Sequence, residues 1–316
     1  MYMRMESANK AVIEVILKLS EEYKITNHSP ALQFSIVTTI MALVLARRPS
    51  SQSSCNSICI MLTKSQLPWF QISNSTLPTI GGRRNSTRSV KHYHAIVGSL
   101  MYAALATWPD ISYAVASLCR YNSRPFTGYL TTAKTVLQYL KATAYFRLHF
   151  NGNGNGNDDV VGCTDSDWGS DRTDRKSQGG HIILTCHDGS AISWQSRNHD
   201  LITLSTLEAE YIACSEASQE ARWLLQLQRD IHGSPSDASP LPIYSDNQGA
   251  LTHITTGVIK ARTNHIDVCY HNSRDLHARK IVDYSYVHTN DNVADILTMP
   301  LTKEKHMKFT KGMGLW

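Results

Sequence analysis

The carboxyl-terminal half of the sequence predicts an α/β fold in which helices flank a mixed sheet. Runs of β-forming residues occur at about 160–168, 179–186, 191–196, 241–246 and 281–288. A helical run at residues 205–232 separates the third strand from the fourth. The pairs Gly179-Gly180 and Asp188-Gly189 predict turns between the first three strands. This order of elements is typical of a sheet with a functional site at its strand ends.

A helical region is predicted ahead of this sheet, over residues 81–150. Periodic Ala, Leu, Val and Tyr indicate helices at about 92–105, 109–121 and 130–142. Thr131 and Thr132 are candidate caps of the third helix. The Asn-Gly repeat at 151–158 predicts a flexible linker, and residues 302–316 predict a final helix.

Residues 49–75 are rich in Ser, Gln and Asn and have little periodicity, which is typical of a disordered linker. When the reading frame is displaced by one position, the text from Met41 onward can be recoded into a segment with strand and helix periodicity. We therefore hypothesise that residues 36–80 are out of frame or disordered.

Composition sets wide limits on function. The chain has 316 residues, 42% of them hydrophobic, and a net charge of +5 that permits a polyanionic partner without requiring one. Its seven cysteines show no zinc-binding spacing, so we expect reduced thiols in an intracellular protein. The apolar run at 31–46 contains polar residues and is shorter than the roughly 18 to 20 residues that span a bilayer, so we expect no membrane partner.

Acidic residues stand at strand ends and in helices throughout the second half. The four candidates are Asp165 in Thr-Asp-Ser-Asp-Trp, Glu210 in Leu-Glu-Ala-Glu-Tyr, Asp246 in Ile-Tyr-Ser-Asp-Asn and Asp295 in Val-Ala-Asp-Ile-Leu. If they converge, their repulsion is costly unless divalent cations neutralise it. Strand alternation does not separate Asp165 from Asp167. Glu208 and Glu210 diverge by about 200° around a helix, so only one of them points inward.

Several longer segments contain these carboxylates or lie between them. They are Arg-Lys-Ser-Gln-Gly-Gly at 175–180, Ile-Ser-Trp-Gln-Ser at 192–196, Leu-Ser-Thr-Leu-Glu-Ala-Glu-Tyr-Ile-Ala at 204–213, Ser-Asp-Asn-Gln-Gly-Ala at 245–250, Ala-Arg-Thr-Asn-His-Ile-Asp at 261–267 and Asn-Val-Ala-Asp-Ile-Leu-Thr at 292–298. With these segments, residues 159–301 resemble the ribonuclease H domain that closes the polyprotein of copia-type LTR retrotransposons. Residues 81–150 resemble the connection region of its reverse transcriptase, and residues 1–35 a remnant of that enzyme. No Tyr-x-Asp-Asp occurs, so no polymerase activity is expected.

The resemblance implies a ribonuclease H-like fold and hydrolysis of the RNA strand of an RNA–DNA hybrid. The expected cofactors are two Mg²⁺ ions, for which Mn²⁺ can substitute. Asp165 would bridge the two ions, Glu210 and Asp246 would complete one site, and Asp295 the other. Glu210 is preferred to Glu208 because it precedes Tyr-Ile-Ala, where the family carries its ligand.

The remaining candidate residues each keep two interpretations. His288 would assist product release or is an exposed turn residue. Asn247 and Gln248 would read the 2′-hydroxyl and minor groove of a hybrid, although Asn247 is equally a helix cap. Basic residues at helical spacing would contact phosphates or form a solvated face; these are Arg262, His265, His271 and Arg274. In the connection region, Arg120, Arg124 and Lys141 would guide the hybrid.

Three functions are compatible with the sequence. The first is a metal-dependent endonuclease acting on RNA–DNA hybrids, with the hybrid and the rest of the polyprotein as partners and the cytoplasmic virus-like particle as its location. The second is an inert relic that keeps the fold and weak nucleic-acid binding. The third is an integrase or transposase, which the missing zinc spacing disfavours.

Overall fold

The structure is a computed structural model that describes residues 87–150, 160–171, 174–185, 189–232, 239–256 and 271–316, together with the backbone of Ile58–Cys59. The predictions for residues 1–35 and for the linker at 151–158 lie outside these residues. The hypothesis for residues 36–80 also lies outside them, except at strand β1 (Ile58–Cys59), which pairs antiparallel with β2 (His149–Phe150).

A five-stranded mixed sheet forms the centre of the molecule. Its strands are β3 (Val161–Asp167), β4 (Gln178–Leu184), β5 (Ala191–Asn198), β6 (Leu241–Ser245) and β7 (Val282–Tyr286). The order across the sheet is β5-β4-β3-β6-β7; β3, β4 and β5 are antiparallel, whereas β6 runs parallel to β3 and β7 parallel to β6. The predicted ribonuclease H-like mixed sheet flanked by helices is therefore confirmed.

The prediction of a turn at Gly179-Gly180 is wrong, because both glycines lie inside β4. A Cβ atom on Gly179 would overlap the His199 ring, and one on Gly180 would lie 2.7 Å from the Leu297 Cβ atom. These glycines therefore allow two other segments to lie directly on the strand.

Seven α-helices occur within the described residues. They are α1 (Thr87–Ala106), α2 (Ser112–Cys119), α3 (Thr127–Ala142), α4 (Thr206–His232), α5 (Gln248–Thr256), α6 (Asn272–Ala278) and α7 (Lys303–Gly312). Short 3₁₀ helices precede α2, at Pro109–Ile111, and α7, at Val293–Leu297. The first three α-helices pack on one another through a core of their own that includes Tyr93, Leu100 and Leu118.

Thr131 and Thr132 do not cap α3, which corrects the sequence prediction. The helix begins earlier, at Thr127, with extended Phe126 before it. The Thr131 hydroxyl donates to the Thr127 carbonyl and the Thr132 hydroxyl donates to the Gly128 carbonyl, four residues back in each case. Both threonines therefore satisfy their hydroxyls within the helix interior.

Alternation along β5 places the sheet between two layers of helices. On one face, Ser193 donates to Glu220 and Arg197 pairs with Glu216, both on α4. On the other face, the Trp194 indole donates to the Ala104 carbonyl of α1 at 2.8 Å. The helical region therefore packs against the sheet.

The last residues of the chain belong to the core of the sheet. Phe309, Met313 and Leu315 are almost fully buried among the apolar residues of the strands. Leu315 forms a β-bridge with Leu148, just before β2. Helix α7 and the residues after it are therefore packed into the sheet domain. Of the helices in the described ranges, none has the length and apolar character needed to cross a membrane.

Candidate active site

Strand β3 carries Asp165 into the interior at its carboxyl end. The strand is almost wholly buried, and the Asp165 side chain is only 4% exposed. Its backbone partner on β4 is Gly180. Because Gly180 has no side chain, residues 297 and 298 lie over this part of the sheet, and the Thr298 hydroxyl donates to Asp165 Oδ2.

Helix α4 supplies Glu210, and the helix start explains why Glu208 points elsewhere. Glu208 accepts a hydrogen bond from the Leu204 amide at 2.6 Å, and its own amide donates to the Ser205 hydroxyl at 3.2 Å. Together these bonds cap the start of α4 in the manner of a capping box, except that Glu208 accepts from the residue before Ser205 and not from Ser205 itself. Glu210, on a different side of the helix, accepts from the Ser166 amide at 3.1 Å and from the Ser245 hydroxyl at 3.4 Å.

Asp246 directly follows β6, whose parallel pairing with β3 brings the two strand ends together. Its Oδ2 atom accepts a hydrogen bond from the Thr289 hydroxyl at 2.6 Å. Ligand oxygens of Asp165, Glu210 and Asp246 all lie within 4.8 Å of one another, and the first two of these residues are buried. The structure therefore brings three of the four predicted carboxylates into one group.

Asp295, the fourth predicted carboxylate, is not a member of this group of three. It lies in the 3₁₀ helix at Val293–Leu297, with no exposed surface. Its Oδ2 atom forms an ion pair with the Lys305 ammonium at 2.6 Å. Its charge still acts on Asp165, since the Asp295 carboxylate is the second cause, after burial, of the raised Asp165 pKa.

Within the described residues, no cationic side chain forms an ion pair with a member of the group of three. Burial, followed by the neighbouring Asp295, raises the pKa of Asp165 from 3.8 to about 7. Burial and the Asp165 charge raise the pKa of Glu210 well above its ordinary value. Closely spaced carboxylate oxygens are the ligand type that Mg²⁺ and Mn²⁺ prefer. The donor set therefore fits a hard divalent cation.

The other acidic and polar candidates lie around this group. Asp167, the rival of Asp165, is half-buried, and burial raises its pKa. Asn247 caps α5 by accepting from the Ala250 amide at 3.0 Å. Gln248 is exposed at the first position of that helix. His288 is exposed beyond β7, and its Nδ1 atom accepts from the Asn290 amide at 3.1 Å.

The predicted basic stripe is only partly described, because Arg262 and His265 lie in residues 257–270, outside the described ranges. Arg274 turns toward the protein, where its guanidinium lies 2.6 Å from His253 Nε2 and 5.5 Å from the centre of the Tyr211 ring. His271 contacts the Tyr211 hydroxyl at 2.8 Å. In the connection region, Arg120 forms an ion pair with Asp171 at 2.7 Å.

Sequence reasoning missed the residues that hold these carboxylates. Ser245 directly precedes Asp246, and Thr298 follows Asp295 by three residues, within the family-like segments at 245–250 and 292–298, so the resemblance offered a usable signal for both. Thr289 and Lys305 have no such signal. Each contacts its carboxylate across a loop or between separate helical elements, which local spacing does not reveal.

Comparison with known proteins identifies the relatives of this chain. It is 34% identical over 237 residues to the retrovirus-related Pol polyprotein from transposon TNT 1-94 of Nicotiana tabacum, covering 75% of this chain and 17% of that protein. It is also 34% identical over 224 residues to the corresponding polyprotein from transposon RE1 of Arabidopsis thaliana, covering 71% of this chain and 15% of that protein. The chain thus spans about one sixth of the length of these relatives.

No family model matches the chain. Among solved structures, LC11-RNase H1 in complex with an RNA/DNA hybrid gives a TM-score of 0.34 at 13% identity, covering 44% of this chain and 93% of that one. The sequence relatives cover the helical region and the sheet domain in one alignment of about three quarters of the chain. On that similarity, the chain belongs to the copia-type retrotransposon Pol polyproteins.

Proposed function

We propose that this chain is a metal-dependent endonuclease that hydrolyses the RNA strand of RNA–DNA hybrids during reverse transcription. The observation that supports the proposal most is the group of three carboxylates from β3, α4 and the end of β6, with oxygens within 4.8 Å of one another. The proposed partners are the hybrid and the rest of a polyprotein, in an intracellular particle.

Asp165, Glu210 and Asp246 would hold Mg²⁺, or Mn²⁺ in its place. Bound there, a divalent cation would activate the attacking water and stabilise the charge that develops on the phosphate and the leaving oxygen. Whether one or two ions bind at this end of the sheet depends on Asp295.

The protein's own contribution is to fix the three carboxylates before the substrate arrives. Each accepts at least one hydrogen bond from a neutral donor: Thr298 for Asp165, the Ser166 amide for Glu210, and Thr289 for Asp246. These donors orient the oxygens without supplying a countercharge, so a bound cation would have no positive side chain to displace. Preorganisation of this kind avoids reorganisation cost during the reaction.

Recognition of the hybrid is assigned to the surface beside Asp246. Gln248 is exposed and directly follows the Asn247 cap, two residues after Asp246 in the chain. A 2′-hydroxyl, present only on RNA, is the group that such an amide distinguishes. Arg262 and His265 remain predicted phosphate contacts. Arg274 is expected to contribute less, because His253 and Tyr211 already engage its guanidinium.

The test is cleavage of hybrids labelled on one strand at a time, in Mg²⁺ and in Mn²⁺. We expect the RNA strand to be cut and duplex DNA to be spared. Asp165→Asn and Asp246→Asn should lower the rate by about 10³-fold or more, because they remove ligands of the transition-state charge. Binding of the hybrid should largely survive, since phosphate contacts dominate affinity.

The neighbouring glutamates provide a matched pair of variants. Glu210→Gln should abolish cleavage, whereas Glu208→Gln should lower the free energy of unfolding by about 1 kcal/mol through the weakened cap and leave the rate nearly unchanged. The opposite result would overturn the assignment on α4. A folded wild-type protein that binds hybrid and cleaves nothing would contradict the proposal and favour the inert relic.

A further inference from the structure

The ion pair between Asp295 and Lys305 differs from the described contacts of the other three carboxylates. Asp295 has no exposed surface, and the Lys305 ammonium lies 2.6 Å from its Oδ2 atom. The donors to Asp165, Glu210 and Asp246 are hydroxyls or backbone amides. Within the described part of the chain, Lys305 is the one cation paired with any of the four carboxylates.

Lys305 is held in this position by the packing of α7. Thr302 caps the helix by accepting from the Lys305 amide at 3.4 Å. The next residue, His306, contacts the Asp110 carbonyl at 3.3 Å, which ties the helix to the helical region. One turn later, Phe309 is buried in the core, and its ring centre lies 5.3 Å from the Lys305 ammonium. The ammonium is therefore directed at Asp295 by a fixed helix.

We propose, on the basis of the function proposed above, that the Lys305 ammonium takes the place of a second divalent cation. The chain then binds one divalent ion, on Asp165, Glu210 and Asp246. Lys305 is a positioning residue, because it acts through Asp295 and contacts neither ion nor substrate. Its fixed positive charge reduces the repulsion that Asp295 exerts on Asp165.

Electrostatics favours this arrangement over a second ion. An ion on Asp295 Oδ2 would have to displace an ammonium that is already in contact with that atom. The other oxygen, Oδ1, is buried without a hydrogen-bond partner. An ion entering there would lie close to the same ammonium, in a buried setting where like charges repel strongly. Asp295 is also outside the group of carboxylates with mutually close oxygens.

The test is to count bound Mn²⁺ per chain, by following the electron paramagnetic resonance signal of free Mn²⁺ during a titration. We expect one tight ion for the wild-type protein and one, with the same dissociation constant within about threefold, for Asp295→Asn. If Asp295 is a ligand of a second ion, the wild-type protein will bind two ions and Asp295→Asn one, and this result would overturn the inference.

Removing the ammonium should open the second position. Lys305→Met leaves Asp295 without its paired cation, so we expect two bound Mn²⁺. The double variant Asp295→Asn/Lys305→Met removes both charges and should return to one ion. Lys305→Arg keeps the cation and should also bind one. A folded Lys305→Met protein that binds one ion would contradict the inference.

The number of bound Mn²⁺ ions also distinguishes failure of this inference from failure of the proposed function. A folded wild-type chain that binds no Mn²⁺, or whose binding is unchanged by Asp165→Asn, contradicts the metal-dependent nuclease itself. A wild-type chain that binds two ions, both sensitive to Asp165→Asn, leaves the nuclease intact and rejects only the role of Lys305. If Lys305→Met does not fold, the comparison of wild type with Asp295→Asn still decides the question.

Discussion

Two buried aspartates differ in whether a cationic side chain is paired with the carboxylate. Asp171, 7% exposed, accepts from the Arg120 guanidinium at 2.7 Å where the helical region meets the sheet domain, and the Asn198 amide lies 3.4 Å away. Asp165, 4% exposed, has a hydroxyl donor and other carboxylates as neighbours. At the junction the chain supplies its own countercharge, whereas the described residues supply none to Asp165 at the end of the sheet. Removing the two carboxylates should therefore have opposite effects on stability.

The largest effect is expected at the junction. Asp171→Ala should lower the free energy of unfolding by about 2–4 kcal/mol, because it leaves the partly buried Arg120 guanidinium without its carboxylate. Urea denaturation measures this loss. The double variant Arg120→Met/Asp171→Leu should recover much of it, since apolar residues can replace a buried ion pair. An Asp171→Ala protein as stable as the wild type would show that this contact is not structural.

Asp165→Asn should instead stabilise the protein without metal, by about 1–3 kcal/mol at pH 8 in EDTA. The pKa of Asp165 is raised from 3.8 to about 7 in the folded chain. Protonation of Asp165 therefore stabilises the folded chain. This stabilisation is complete below about pH 4 and is lost as the pH rises through about 7. The stability advantage of Asp165→Asn should shrink toward pH 5, and Mg²⁺ should restore the stability of the wild-type protein at pH 8.

The exposed carboxyl of Asp291 provides the control for this prediction. Its pKa is lowered by the hydrogen bond from Lys308. Asp291→Asn should therefore show no gain at pH 8 in EDTA. Equal gains from both variants would mean that net charge, and not the buried cluster, sets the pH dependence.

The third prediction concerns the contact by which the 3₁₀ helix at Val293–Leu297 packs on β4. Gly180→Ala would place a Cβ atom 2.7 Å from the Leu297 Cβ atom and 2.9 Å from Thr298 Cγ2. We expect a loss of about 1–3 kcal/mol of unfolding free energy and slower cleavage. Gly98→Ala is the control, because nothing lies within 4 Å of its new Cβ atom and α1 should gain up to about 1 kcal/mol.

The smallest effect is expected for Thr298→Val, which removes the hydroxyl that donates to Asp165 while keeping nearly the same shape. That hydrogen bond lowers the pKa of Asp165 against the effect of burial. Its loss should raise this pKa further, so Mn²⁺ binding should begin at a higher pH and weaken by roughly tenfold or less at pH 7. Unchanged Mn²⁺ affinity across pH 6 to 8 would show that Thr298 does not tune the carboxylate.

The fold was predictable because its signals are local. The alternating and apolar runs in the sequence place all five strands of the large sheet within two residues of their observed ends. The capped helical run gives α4 to within one residue. Besides the caps at Thr131 and Thr132, the turn at Gly179-Gly180 was wrong, because glycine also permits close approach of another segment and the sequence does not say which use applies.

The sequence by itself determined the α/β order of elements, the family resemblance and the four acidic candidates. Only the tertiary structure decided which glutamate of α4 faces the strand ends, that Asp165, Glu210 and Asp246 share one space, and that Asp295 pairs with Lys305. The physical reason is the range of the interactions. Periodicity and capping act within a few residues, whereas charge compensation depends on contacts between segments that only packing brings together.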